Sequence, residues 1–213
     1  MMTEDELDKA ESYWTSQEKD AKKMPAEVLR EKAEAFLTSH NTCALACGAG
    51  DFVRCTPLEY VWRDGAIWIF TEGGLKFHAL RKNLRVSLAV FEPYAGFGKL
   101  ASIQVTGTAE IVDPESAEYA AAAAAKGIPQ EMLERVRTRL HLLKIEPSHM
   151  DLLMSGLHDE GYSPRQSLDC LLLSAKTSWH LSCLGVVPIA ILFVRTLGRS
   201  VRHLRGAAWQ RRR

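Results

Sequence analysis

Short connections between apolar segments are what most constrain the fold of this chain. Six segments have the composition and alternation of β-strands, namely residues 42–47, 52–62, 66–71, 85–91, 101–112 and 138–146. Most of the joins between them are too short for a parallel crossover, which needs about a dozen residues or more. The pattern therefore predicts a mainly antiparallel sheet or barrel.

Helical patterns flank and interrupt these strands. Apolar residues recur at helical spacing before residue 23. Pro25 fits the first position of a second helix that should end near Asn41. A further helix is expected to start at Ser148. The predicted fold class is α+β, with N-terminal helices over residues 1–41, the sheet over 42–147, a C-terminal helix over 148–166 and a tail over 167–213.

A tight turn at Asp64-Gly65 would set the register of one hairpin. Trp62 then faces Ile67, and Leu58 faces Thr71. Opposed side chains of an antiparallel pair share a face, and so do side chains two apart along a strand. The register therefore predicts a shared face near one end of the hairpin, formed by Arg54, Thr56, Leu58 and Thr71.

The same end of the hairpin would carry groups that bind phosphate. Extending the register places Arg54 level with Leu75 and next to Lys76. An arginine grips phosphate bidentately and a lysine adds a second charge. Gly73 and Gly74 allow a sharp turn with close backbone approach, and the helix expected after them would present free amides. The set predicts a phosphate site, and the alternative is a surface hairpin with ordinary charged ends.

The distribution of charge argues against a nucleic-acid partner. The net charge of the chain is +1, but no acidic residue follows Asp169, whereas Lys176 and seven arginines do. The remainder has 19 basic and 26 acidic residues, a net charge of −7. An acidic surface repels the phosphate backbone of DNA or RNA.

The cysteine content predicts the cellular location of the protein. The five cysteines are odd in number and lack C-x-x-C spacing, which favours reduced thiols and a cytoplasmic protein.

In the tail, residues 181–194 are apolar, but this stretch is shorter than the roughly 20 residues that span a bilayer. The tail is interpreted as a non-native extension, with a membrane-surface anchor or a packed element as alternatives.

Several of these segments, in order, resemble the pyridoxamine 5'-phosphate oxidase-like family. They are Arg54-Cys55-Thr56-Pro57, then Thr71 and Lys76, then Asn83 to Leu88, then Gln104 to Glu110. The resemblance covers about residues 42–146. It implies the flavin-binding split β-barrel, a homodimer with FMN at its interface, and redox chemistry on a small-molecule substrate.

Position by position, the resemblance also implies which residues contact the cofactor. Arg54 and Lys76 match the phosphate-binding cations, and Gln104 matches a glutamine that contacts the flavin. The remaining matches are Cys55, Thr56 and Leu58 beside the flavin ring, and Phe70 and Thr71 beside the phosphate and ribityl chain.

The chain departs from the family pattern at two places. Leu75 stands where the family has a second cation next to Lys76. No counterpart of the C-terminal tryptophan and arginine segment is found, so vitamin B6 oxidation is not expected. No catalytic side chain or metal site is predicted. The alternatives are a haem-binding or haem-degrading branch using His78, His141 or His149, and a non-enzymatic binding module that has lost the flavin.

Overall fold

The computed structural model describes residues 2–170. The helices are α1 (Glu4–Gln17), α2 (Ala26–Ser39), α3 (Lys76–Leu80), α4 (Ala117–Ala125) and α5 (Gln130–Val136). The strands are β1 (Thr42–Ala49), β2 (Phe52–Glu59), β3 (Val61–Arg63), β4 (Ala66–Thr71), β5 (Arg85–Phe91), β6 (Ala101–Val112), β7 (His141–Met154) and β8 (Arg165–Asp169). Short 3₁₀ turns lie at Glu18–Asp20, Phe97–Lys99 and Ser155–His158.

All eight strands belong to one antiparallel sheet with the order β2-β1-β5-β6-β7-β4-β3, and β8 pairs with β7. β2 and β3 are the first and last strands of this order, and only Tyr60 separates them in the chain. The sheet must therefore curl back toward itself. The predicted α+β split barrel with flanking helices is confirmed.

Strand register separates the two faces of the sheet. One row across β1, β5, β6, β7 and β8 consists of buried side chains, namely Leu45, Leu88, Val105, Met150 and Leu168. We call the face with this row the inner face. The next row along each strand contains Ala46, Ser87, Thr106, His149 and Asp169 on what we call the outer face.

Helix α2 closes the barrel where the sheet splits. The amino-terminal half of β7 pairs with β4, whereas its carboxyl-terminal half pairs with β8. Leu29, Ala33 and Leu37 on α2 are buried in the main core. Tyr60, at the bend between β2 and β3, is 1% exposed and donates its hydroxyl hydrogen to the Leu37 carbonyl at 2.7 Å.

The predicted hairpin register holds only beside its turn. Asp64 and Gly65 have φ values of 54° and 75°, and Trp62 faces Ile67 as expected. Pairing with β4 stops at Val61, however, so the predicted Leu58 to Thr71 pair is wrong. On the amino-terminal side of Tyr60 the chain forms β2, which pairs with the available edge of β1 instead of with β4.

The predicted C-terminal helix over 148–166 is also wrong. Strand β7 continues to Met154, a 3₁₀ turn follows, and β8 begins at Arg165. β6 and β8 flank this half of β7 and satisfy its backbone groups.

The predicted tail began at residue 167, yet Ser167 to Asp169 form the end of β8. The expectations for residues after 170 lie outside the described residues. Within the described part of the chain, none of the helices has the length and apolar character needed to cross a bilayer.

Candidate functional site

The expected phosphate site lies at one end of the barrel. On β2, Arg54, Thr56 and Leu58 face Cys47, Leu45 and Cys43 of β1, so they share the inner face. Arg54 is exposed and Thr56 half-buried because β2 is the last strand of the sheet order. Thr71 is 7% exposed, at the end of β4, and is on the inner face too. The predicted hairpin register is wrong, but the pairing of β2 with β1 still places Arg54, Thr56 and Leu58 on the inner face, which Thr71 shares.

Lys76 is a buried cation at this end of the barrel. The residue is only 5% exposed, and its Nζ donates to the Gly73 carbonyl. The same nitrogen lies 5.3 Å from the centre of the Phe77 ring. Within residues 2–170 it forms no ion pair with a carboxylate. Two of its three donor hydrogens are therefore free for an anion.

The electrostatics show that Arg54 and Lys76 act on the same surroundings. Burial lowers the pKa of Lys76, the Cys47 thiol opposes this, and the Arg54 charge adds to the lowering. Burial raises the pKa of the Cys47 thiol, whereas Lys76 and Arg54 both lower it. The Cys47 thiol also donates to the Lys76 carbonyl, with the sulfur 3.7 Å from the oxygen. Two cations near one buried thiol form an anion-attracting centre.

The loop before α3 has the backbone freedom that the sequence indicated. Gly73 and Gly74 have φ values of 100° and 105°, which only glycine adopts readily. The expectation of free helix amides is only partly met. The amides of Phe77 and His78 donate to the carbonyls of Gly74 and Leu75 inside the turn. An anion here would depend on the side-chain cations more than on the helix.

The remaining residues expected at the cofactor lie elsewhere on the chain. Cys55 faces Ala46, so it is on the outer face of the sheet. Gln104 is exposed on the same face, opposite Ala89 and Asp151. Phe70 packs edge-on against Tyr119 of α4, 5.6 Å between ring centres, and Leu75 is 60% exposed. Gln104 is on the outer face, whereas Lys76 lies beside Cys47 of the inner face.

A charged cluster on the outer face was not foreseen. His149 on β7 lies with Nδ1 2.7 Å from Asp169 Oδ1 and with Nε2 3.1 Å from Asp151 Oδ1. Burial lowers the pKa of His149, but the two carboxylates outweigh burial and raise it overall. The alternation of His149 and Asp151 was a usable signal, and it was missed because this segment was predicted to be helical.

The cluster predicts a pH dependence of stability. Because the pKa of His149 is higher in the folded state than its ordinary value of about 6.5, its ion pairs stabilise the fold fully at lower pH and lose this contribution as pH rises through the folded pKa. We expect His149→Asn to lower the melting temperature at pH 5.5 more than at pH 8.5, as measured by circular dichroism. Asp151→Asn should show the same trend more weakly, and a pH-independent difference would contradict the assignment.

The other histidines proposed for haem are engaged in packing. His78 contacts Phe52 edge-on at 4.9 Å, and His141 contacts Phe77 at 5.0 Å between ring centres. Among residues 2–170, His, Cys, Asp and Glu side chains nowhere gather in threes that could hold a metal ion. At His149 the two carboxylates occupy opposite nitrogens of the ring, so neither nitrogen is left for a metal ion.

Comparison with known proteins assigns the chain to a family. The family model described as pyridoxamine 5'-phosphate oxidase matches residues 29–153, more than half of the chain. This protein therefore belongs to the pyridoxamine 5'-phosphate oxidase family, which confirms the resemblance inferred from its motifs. No curated protein matches it significantly in sequence.

Solved structures share the fold at low identity. ChuZ of Campylobacter jejuni has a TM-score of 0.53 at 14% identity, covering 70% of this chain and 62% of ChuZ. A FAD-binding protein of Mesorhizobium loti has a TM-score of 0.48 at 20% identity, covering 57% and 89% of the two chains. HutZ, a haem-storage protein of Vibrio cholerae, has a TM-score of 0.48 at 15% identity, covering 58% and 91%. At 14% identity the similarity to ChuZ is one of fold alone.

Proposed function

We propose that this protein is a flavoprotein that binds FMN non-covalently and acts as an oxidoreductase on a small molecule. The observation that carries the proposal is the buried Lys76 ammonium beside Arg54, in a chain of the pyridoxamine 5'-phosphate oxidase family. A buried cation is costly unless it is paired with an anion. A phosphate monoester with roughly −1.5 to −2 charges at neutral pH would offset that cost.

The residues at the end of the barrel fit a phosphate group. Arg54 has no ion pair within residues 2–170, so its guanidinium is available for bidentate binding. Thr56 and Thr71 supply hydroxyl donors on the same inner face. The glycine pair before α3 keeps side chains away from the approach, since a Cβ at Gly74 would lie 3.7 Å from Lys76 Nζ.

A homodimer would explain why the expected cofactor residues occupy two surfaces. The outer face carries Cys55 and Gln104, and its small residues Ala44, Ala46 and Ala89 remain partly exposed. Small side chains allow a second copy to approach closely. In the proposed dimer, the outer face of one protomer would meet the phosphate end of its partner, with the flavin between them.

When bound, FMN would supply the electron transfer itself. The chain would hold the phosphate through Arg54 and Lys76 and orient the ring by the backbone and side chains of β2. The exposed Gln104 amide offers both a donor and an acceptor for the polar edge of a flavin. We assign no catalytic side chain.

Arg54→Ala is expected to weaken FMN binding by about 1.5–3 kcal/mol, or about 10- to 100-fold, through loss of a charge-assisted contact. Titration of apoprotein with FMN, followed by flavin fluorescence, measures the effect. Arg135→Ala is the matched control, because Arg135 is 76% exposed on α5 and pairs with Glu131. Equal affinities for both variants and wild type would remove Arg54 from the site.

An absorbance spectrum of the purified protein separates the alternatives. A flavin spectrum, or uptake of FMN on titration, supports the proposal. A Soret band on adding haemin, lost with a single histidine substitution, would favour a haem protein. A folded dimer that takes up neither cofactor would be a binding module without the flavin.

A further inference from the structure

A cavity of about 440 Å³ opens beside the outer face. It lies between the end of α1, the loop of residues 92–100 and the start of β8. Its apolar walls are formed by Ala21, Phe97, Leu100, Leu153 and Pro164. This volume is within the range of pockets that hold drug-sized ligands. We call this cavity the apolar groove.

Three of the four polar residues that line the apolar groove already interact within the protein, and the fourth is the neutral, exposed Gln17 at the end of α1. Ser155 Oγ donates to the Phe97 carbonyl at 2.6 Å and accepts from the Leu100 amide at 3.1 Å. Ser163 Oγ accepts from the Lys22 amide at 2.9 Å. Arg165, the charged residue of the lining, already takes part in another interaction. A charged ligand would lose its hydration against these mostly apolar walls and would meet mainly neutral or already engaged polar groups.

The apolar groove is continuous with the surface expected to contact the flavin. Leu153, in its wall, faces Ser102 on the outer face. Ser102 and Gln104 are two residues apart on β6 and therefore about 7 Å apart on the same face. A molecule in the groove would thus lie next to anything that Gln104 contacts.

Two aromatic side chains are exposed at the rim of the groove. Phe97 is 82% exposed and Tyr94 is 70% exposed, and their rings meet edge-on with 6.0 Å between centres. When a ligand covers exposed aromatic side chains at the mouth of a cavity, the burial of their surface favours binding. The rim therefore adds to the preference for an apolar ligand.

We propose that the apolar groove is the substrate site and that it takes an uncharged, largely apolar, ring-containing molecule rather than a phosphorylated one. This inference rests on the flavin function proposed above. It agrees with the absence of a counterpart to the family's C-terminal tryptophan and arginine segment, from which vitamin B6 oxidation was not expected.

The test uses the neutral naphthalene fluorophore Prodan, titrated into the 213-residue protein without FMN. We expect saturable binding with enhanced emission in the wild type. Phe97→Ala should lower the affinity about tenfold, since burial of an aromatic ring contributes about 1.5 kcal/mol or more. Because Phe97 is exposed, its substitution should not disrupt folding, and a lower affinity cannot be attributed to misfolding. Leu153→Asn should lower it similarly, and Met132→Ala, an exposed residue on α5, should leave it unchanged.

Competition defines the ligand class. Menadione, an uncharged naphthoquinone, should displace Prodan, whereas pyridoxamine 5'-phosphate should not. Displacement by the phosphate, absence of Prodan binding, or equal affinities in all three variants would each overturn the proposal for the groove.

The position next to the flavin has its own readout. FMN added to the Prodan complex should quench the probe, because Prodan emission overlaps flavin absorption. Failure of FMN to bind, with Prodan binding still sensitive to Phe97 and Leu153, would overturn the flavin function and the substrate role with it. Loss of Prodan binding in a protein that retains FMN would overturn the groove alone.

Discussion

Lys76→Met is expected to weaken FMN binding about 10- to 100-fold while raising the melting temperature of the protein without FMN. The ammonium is buried, and within residues 2–170 it has carbonyl and aromatic neighbours but no carboxylate ion pair. The apoprotein therefore bears the cost of burying a charge, which methionine removes at nearly the same volume. Loss of affinity combined with gain of stability is the signature of a residue kept for a ligand.

The pH dependence of this variant provides a second check. Burial holds the pKa of Lys76 below its ordinary value of 10.5. Between the folded pKa and 10.5 the unfolded chain binds more protons, so the stability of the wild type rises with pH in that window. The stability advantage of Lys76→Met should therefore be full at neutral pH and shrink as pH approaches 10.5.

Differential scanning calorimetry with and without FMN measures both effects. Each kcal/mol of stabilisation corresponds to a rise of about 2–4 °C for a chain of this size. Lys82→Met is the matched control, because Lys82 is exposed two residues after α3 and should change neither quantity. A destabilised apoprotein with unchanged FMN affinity would show that Lys76 is a structural residue.

Local signals in the sequence predicted the elements whose chemistry is local. The Asp64-Gly65 turn follows from two residues that tolerate positive φ, and strand β6 follows from clean alternation over Ala101–Val112. Helix α2 starts directly after Pro25, as a fixed proline φ favours. Family resemblance then supplied the barrel that these pieces form.

The same local signals could not predict which strands pair with each other. The sequence from Phe52 to Trp62 predicts one strand, and no residue pattern within it indicates that the partner strand changes at Tyr60. The cause is tertiary, because the Tyr60 side chain is buried and bound to the Leu37 carbonyl of α2. The extension of β7 past Pro147 is similar, since its backbone partners come from β6 and β8 rather than from nearby residues.

For the candidate site, residue types were more predictable than geometry. The two cations and the glycine loop were identified, and the structure groups Arg54 with Lys76 by a pairing that differs from the predicted one. His149 and Asp169 are 20 residues apart in the sequence, and the alternation of His149 and Asp151 was the one local signal of their cluster. The apolar groove likewise depends on chain segments brought together only by folding.

Gly107→Ala is expected to destabilise the fold by about 3 kcal/mol or more, because there is no space for a Cβ at this position. An added Cβ would lie 2.5 Å from the Glu146 carbonyl oxygen and 3.1 Å from the carbonyl carbon. These are backbone atoms of β7, so a change of side-chain rotamer cannot relieve the contact. Gly107 also lies where the register between β6 and β7 shifts. The strand would therefore have to move apart from its neighbour in the middle of the sheet.

Urea denaturation followed by tryptophan fluorescence measures this loss. Gly156→Ala is the matched control, because its added Cβ would meet no heavy atom within 4 Å and its φ is not positive. The control should differ from wild type by less than about 0.5–1 kcal/mol. Equal midpoints for the two variants would mean that β6 and β7 can separate at the register shift without cost, and the close approach at Gly107 would then not be needed for the barrel. A large difference would instead identify glycine at this position as a requirement of the fold, independent of any cofactor.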